Sequence, residues 1–251
     1  MNDYRILKMS DRDPAFVLQA CDVHFWDIDL DGEGQDCQPL KMQLSKDEIF
    51  HSEQFHHEID SKRFINRRWV LRQLLGKYTG IPPEKLEYEK NASGKLSLPF
   101  QRIRFNLSSR GNKVVLAFTL DKEIGVDVEQ IVALPEINSM AKRWLSETEY
   151  SRWIALPSGK QVEAFYHAWT QKEAFVKAQG DGMSIPFRDF SVAVDPDLPG
   201  GIISAKRNID VTSWKMITRK MIPDWRVSVC LRSGSDNVHL QVFSSRLSFF
   251  V

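Results

Sequence analysis

Asp127 and Glu129 stand one residue apart in the stretch Gly-Val-Asp-Val-Glu, residues 125 to 129, between apolar neighbours. The stretch reads as a strand, where side chains alternate. The two acids therefore share one face, and Val126 and Val128 take the other. Two carboxylates on one face repel each other, and burial requires that one protonate or that both meet a cation. Hard oxygens at this spacing suit Mg²⁺, which keeps several waters and often contacts phosphates. Taken alone, the pair is more simply a solvent-facing polar edge, because short D-x-E patterns are common by chance.

A second group lies more than forty residues later, in QVEAFYHAWTQKEAFVKAQG (161 to 180), which reads as a long helix closed by Gly180. At 100° per residue Phe165, Trp169 and Val176 fall together, with Ala168 and Phe175 beside them, as a buried stripe. Glu173 sits at one edge of that stripe and Lys177 one turn further along. As an isolated pair they amount to an i, i+4 ion pair worth a few tenths of a kcal/mol. Lys172 falls inside the apolar arc, where a lysine must snorkel, find an acid or meet an anionic ligand. A strand with two inward acids and a helix with Lys, Glu and Lys at a core edge together have the make-up of a metal–phosphate site.

The bulk of the chain excludes other chemistry. The 251 residues carry a formal net charge of +1, so no overall basic field argues for nucleic acid. No apolar run approaches the ~20 residues that span a bilayer, and MNDYRILKMSDRDPAF lacks the apolar core of a secretory signal. Cys21, Cys37 and Cys230 form no CxxC or zinc spacing and read as reduced thiols of a cytoplasmic protein. His56 and His57 point about 100° apart on a helix, and with His167 they make no HExxH pattern. There is no GxSxG, Walker A loop or dinucleotide-binding fingerprint. The basic cluster KRFINRR (62 to 68) has one aromatic and apolar members that suit a packed helix, so it reads as a phosphate-facing or solvated face.

The elements that position these residues form a mixed pattern. CDVHFWDIDLDG (21 to 32) predicts a strand. Residues 44 to 80 predict one or two helices, with Ser45 as N-cap and an apolar stripe of Phe64, Val70, Leu71, Leu74 and Leu75 stopped at Gly80. A short strand at 86 to 90 and a turn at 91 to 95 lead to strands at 103 to 108, 113 to 120 and 123 to 131, with Asp121-Lys122 turning between the last two. Ser146 and Glu149 have capping-box spacing at the start of a helix. Strands follow the long helix at 190 to 194, 201 to 206, 213 to 219, 225 to 232 and 238 to 243. Helices mixed with mostly antiparallel strands in each half argue for an α+β fold. The division falls near Asp121, giving an N-terminal half of residues 1 to 121 and a C-terminal half of 122 to 251.

IGVDVEQ (124 to 130) and AWTQKEAFVKAQGDGMSIPFRDFSV (168 to 192) resemble, in order and separation, the two signature motifs of the 4′-phosphopantetheinyl transferases, in particular the large, monomeric surfactin-synthetase type. SGKLSLP (93 to 99), FNLSSRG (105 to 111) and the arginine-bearing FHHEIDSKRFINRRWVLRQLL (55 to 75) extend the similarity over about residues 44 to 194. The resemblance implies two similar α+β halves about a pseudo-twofold axis with coenzyme A in the cleft between them. It implies transfer of the phosphopantetheine arm of CoA to a serine of an apo acyl or peptidyl carrier protein, with release of adenosine 3′,5′-bisphosphate. The carrier would serve fatty acid, polyketide or nonribosomal peptide synthesis. It also implies a monomer that uses Mg²⁺ and engages neither nucleic acid nor membrane.

Carried over by residue, Asp127, Glu129 and Glu173 would hold Mg²⁺. Glu173 would be ligand, base for the serine proton, or both. Lys177 would sit on the pyrophosphate, Lys172 would contact phosphate, and Trp169 would pack the helix. Arg63 would meet the 3′-phosphate, Gly94 and Lys95 would lie beside the adenine, and Ser108 would bind phosphate. Two departures stand out. Ser109 replaces a histidine that contacts the pyrophosphate in many relatives, leaving the adjacent Arg110 to supply the cation. DEIFHSEQ (47 to 54) has His51 but no lysine, leaving the 3′-phosphate to Arg63, Lys62 and Arg67. A Mg²⁺-dependent phosphohydrolase or nuclease would use the acids without needing Gly94, Lys95 or Arg63. A non-catalytic CoA- or carrier-binding protein would have no reason to keep Asp127, Glu129 and Glu173.

Overall fold

The computed structural model describes residues 4–8 (as backbone), 16–30, 37–180, 185–206 and 209–247. The chain begins with strands β1 (Tyr4–Lys8) and β2 (Asp22–Asp29), then helices α1 (Gln38–Lys41), α2 (Lys46–Ser52) and α3 (Glu58–Thr79). The region 44 to 80 is thus two helices. Ser45 caps α2 in a full capping box with Glu48, and Gly80 ends α3 in the left-handed conformation. The strand expected at 86 to 90 shrinks to β3 (Glu89–Lys90), paired with β4 (Leu96–Ser97). Strands β5 (Ile103–Arg110), β6 (Lys113–Leu120) and β7 (Ile124–Gln130) follow, then helices α4 (Ile137–Trp144), α5 (Glu147–Ile154) and α6 (Ser158–Gln179). The chain continues with β8 (Phe190–Val192), β9 (Ile202–Ala205), β10 (Trp214–Met221), β11 (Trp225–Arg232) and β12 (His239–Arg246). The Asp181–Ser184 part of the second motif lies outside the described residues.

The architecture is α+β, built in layers. A five-stranded sheet, ordered β1-β12-β2-β6-β5, carries α3 on one face. There Val70, Leu71, Leu74 and Leu75 pack among Trp26, Ile28, Leu116 and Phe118. A three-stranded sheet, β10-β11-β7, carries α6. The inner faces of the two sheets meet through Val23, Phe25, Val115 and Ala117 on one side and Val126, Val128, Val227 and Val229 on the other. Val126 and Val128 are therefore the core side of β7, which turns Asp127 and Glu129 away from the sheet–sheet core. Both long helices run 22 residues, about 33 Å of helix.

The turn at Asp121-Lys122 is a crossing from one sheet to the other, because β6 and β7 belong to different sheets. The last strand then returns to the first sheet, where β12 pairs parallel with both β1 and β2. The first half is thus completed by the end of the chain. The physical reason lies in β2, which is buried along nearly its whole length. Without β12 it would present an unpaired edge beside a large apolar surface.

Candidate active site

Gly125 explains how helix and strand come together. A Cβ built there would lie 2.1 Å from the Ala174 carbonyl oxygen and 2.3 Å from the Ala178 nitrogen. Only glycine lets the backbone of α6 rest against β7 this closely. Ala174 and Ala178 face the strand, so Glu173 and Lys177 are carried over the Asp127 edge. On the other side β5 runs along β7, and Asn106 accepts a hydrogen bond from the Val126 nitrogen at 2.9 Å.

Asp127 is 4% exposed. Its Oδ1 accepts from Lys177 Nζ at 2.6 Å and from Ser108 Oγ at 2.8 Å, and Lys177 Nζ lies 3.1 Å from the same hydroxyl. Its Oδ2 is buried without a hydrogen-bond partner. Burial first, and the charge of Asp127 second, push the Glu129 carboxyl above the usual carboxylate range, against Arg110 and Lys177. Glu173 is also raised, by burial first, opposed by Lys177 and reinforced by Asp127. Three carboxylates thus crowd one edge with more negative charge than the neighbouring cations neutralise.

The donor set fits a hard divalent cation on this observation: an orphaned buried carboxylate oxygen next to two acids whose proton affinity is raised. The set is open. Among the described residues no three acid, histidine or cysteine side chains converge as they stand. An open set suits Mg²⁺, which fills most of its octahedron with water and substrate phosphate.

The raised carboxylates have a measurable consequence. A carboxyl whose folded pKa is raised costs stability above that pKa and costs nothing below its unfolded value. Glu173→Gln is therefore expected to melt higher than the parent protein at about pH 8, with the gap closing toward about pH 4. Calorimetry across that range in the absence of metal checks it. A gap of the same size at both ends would point to packing instead of charge.

Beside Asp127 opens a pocket of about 310 Å³, walled by Arg67, Arg68, Lys95, Ser108, Ser109 and Lys177, with Gly94 at its rim. It adjoins a second cavity of about 380 Å³ through Arg68 and Leu96, where His51, Phe64, Tyr88 and Lys90 form part of the wall. Lys95 is held by Glu123 at 3.2 Å and the Ala178 carbonyl at 3.0 Å. Asn91 and Ser93 both donate to the Gly180 carbonyl at 2.6 Å, which ties this turn to the end of α6. Residues from both halves therefore line one cleft.

The structure places several expected site residues away from the pocket. Lys172, expected on phosphate, lies in the core. It is fully buried, with Nζ 2.9 Å from Glu149 Oε1 and donating to the Phe187 and Phe190 carbonyls at 2.6 and 2.7 Å, so its three protons are committed. Of the three fates open to a lysine in the apolar arc, it found the acid. Arg110 turns to Glu129, with Nε 3.5 Å from Oε2, and does not wall the phosphate-sized pocket. Arg63, partly buried on α3, lines neither cavity. His167 is buried against Arg226, and burial first, then the charge of Arg226, draw its pKa down to about 3.

Sequence reasoning missed Arg68. Its Nε and one terminal nitrogen are buried without hydrogen bonds, and its nearest acid, Glu48, is 3.9 Å away and already bound to Arg72. The signal was present in the spacing. Phe64, Arg68 and Arg72 recur every four residues, so two arginines share the face of a phenylalanine that must be buried.

The pattern described as the 4′-phosphopantetheinyl transferase superfamily matches residues 123–230. The chain is 30% identical over 215 residues to the 4′-phosphopantetheinyl transferase HetI of Nostoc sp., covering 84% of this chain and 87% of HetI. It is 29% identical over 177 residues to the 4′-phosphopantetheinyl transferase Sfp of Bacillus subtilis, covering 70% and 76%. A holo-(acyl-carrier-protein) synthase from Bacillus anthracis, solved with CoA (3′,5′-ADP), aligns with 45% of this chain and 96% of its own at 22% identity and a TM-score of 0.36.

Proposed function

Because the chain belongs to the 4′-phosphopantetheinyl transferase family, it moves the 4′-phosphopantetheine arm of CoA to carrier proteins, and we propose that it does so with Asp127, Glu129, Glu173 and Lys177. The observation that carries this reading is the shared contact of Lys177 and Ser108 on Asp127 Oδ1, with Oδ2 left open, at the edge of a cation-walled pocket.

In this reading the diphosphate of CoA lies in the pocket of Ser108, Ser109 and Lys177, beside Gly94 and Lys95. The adenosine end extends toward the cavity of Phe64 and Tyr88, with Arg68 between the two for the 3′-phosphate. Asp127, Glu129 and Glu173 would hold Mg²⁺, which supplies charge neutralisation on the diphosphate oxygens. The serine hydroxyl of an apo acyl or peptidyl carrier attacks the phosphorus that bears the pantetheine arm. The new P–O bond forms as the bond to adenosine 3′,5′-bisphosphate breaks. Lys177 faces the charge that develops on the phosphate oxygens. Glu173, whose proton affinity burial raises, accepts the serine proton. Asp127 holds Lys177 and Ser108 in place.

No helix of the described residues is long and apolar enough to cross a membrane. The cysteines described are free thiols, and the reading of a cytoplasmic, monomeric enzyme rests on the family resemblance. The test is the intact mass of an apo acyl carrier protein incubated with the enzyme, CoA and Mg²⁺. The expected result is a gain of one phosphopantetheine arm that disappears with EDTA. Transfer unaffected by EDTA would remove the metal from this reading, and no transfer to several carriers would remove the reading itself.

A further inference from the structure

We propose that Arg67 is the cation that grips the diphosphate of CoA in this enzyme, working beside Ser109. The proposal rests on the transferase reading above and assigns one residue within it.

Arg67 reaches from α3 across to β5, where its Nη1 donates to Ser109 Oγ at 2.9 Å. Its guanidinium stacks on the Phe64 ring at 4.9 Å and forms part of the wall of the 310 Å³ pocket. Ser109 follows Ser108, whose hydroxyl touches both Asp127 and Lys177. Arg67 and Lys177 therefore reach adjacent serines of one strand from opposite halves of the molecule. Both cations line the same pocket, so an anionic group entering it meets both.

Charge accounting singles Arg67 out among the cations of that wall. Lys177 has Asp127 at 2.6 Å, Lys95 has Glu123 at 3.2 Å, and Arg68 has Glu48 at 3.9 Å. Among the described residues Arg67 has no carboxylate within ion-pair distance and no protein acceptor besides Ser109 Oγ. The charge that acts on it is that of another arginine, Arg68. Burial first, and Arg68 second, draw its pKa down to about 10. A partly buried guanidinium without an anion is costly, and one that walls a pocket is completed by an anion entering it. Arg110 does not compete for this role, since it pairs with Glu129. The link through Ser109 and Ser108 to Asp127 favours the diphosphate, where the reaction occurs, over the 3′-phosphate.

The experiment compares CoA with 3′-dephospho-CoA, which keeps the diphosphate and lacks the 3′-phosphate. Binding of each is measured by titration calorimetry, and KM and kcat with an apo carrier protein, for the parent enzyme, Arg67→Ala and Arg67→Lys. The expected result is a loss of affinity of about tenfold or more in Arg67→Ala, equal for both nucleotides and larger in KM than in kcat, with partial recovery in Arg67→Lys. A loss seen with CoA and absent with 3′-dephospho-CoA would move Arg67 to the 3′-phosphate and overturn the proposal. Unchanged affinity for both would reduce Arg67 to a structural contact with Ser109. If the parent enzyme modifies no carrier from CoA, it is the transferase reading that fails.

Discussion

Asp127→Asn is expected to lower phosphopantetheine transfer by about a thousandfold or more while the protein remains folded. The side chain keeps its size and an oxygen for the Ser108 hydroxyl, which now donates to Asp127 Oδ1 at 2.8 Å. What it loses is the charge that orders Lys177 at 2.6 Å and the open Oδ2 that suits a divalent cation. Lys177 is 30% exposed, so water can solvate it when the carboxylate is gone, and the melting temperature should fall by only a few degrees. Mg²⁺ should raise the melting temperature of the parent protein and leave that of the variant unmoved. Transfer within tenfold of the parent would refute the role assigned to Asp127.

Lys172→Met should have its largest effect on stability. The Lys172 and Glu149 side chains are 0% and 1% exposed, and their pairing lies deep in the second core. Removing the lysine leaves a buried carboxylate without its cation, a change that typically costs about 3–5 kcal/mol. Glu149 cannot simply leave, because it also accepts from the Ser146 and Val192 nitrogens at 2.7 and 2.6 Å, which caps α5 and pins β8. Urea unfolding measures the loss, and titration with CoA measures the site. A folded variant with unchanged affinity for CoA is the expected pairing. Unchanged stability together with weakened CoA binding would restore Lys172 to the phosphate and show the buried pair to be dispensable.

Much of the frame was legible in the sequence because its rules act within a few residues. Alternation put Asp127 and Glu129 on one face and Val126 and Val128 on the other. The capping spacing of Ser146 and Glu149 and the glycine at 180 fixed where α5 begins and α6 ends. The wheel of α6 placed Glu173 and Lys177 at the edge of its buried stripe. These are consequences of backbone geometry that any neighbouring fold would inherit.

Which cation meets which anion was decided only by tertiary structure. From sequence, Lys172 and Arg110 were both free to face a phosphate, yet they meet Glu149 and Glu129. Arg67 and Arg68, in a cluster whose charges read as a phosphate-facing or solvated face, wall the pocket. The return of β12 to the first sheet was equally hidden, since a strand's period says which face is apolar and nothing about its neighbour. A charged side chain has several partners within reach of its chemistry. The choice among them follows from desolvation and distance, and both exist only once segments far apart in sequence have packed.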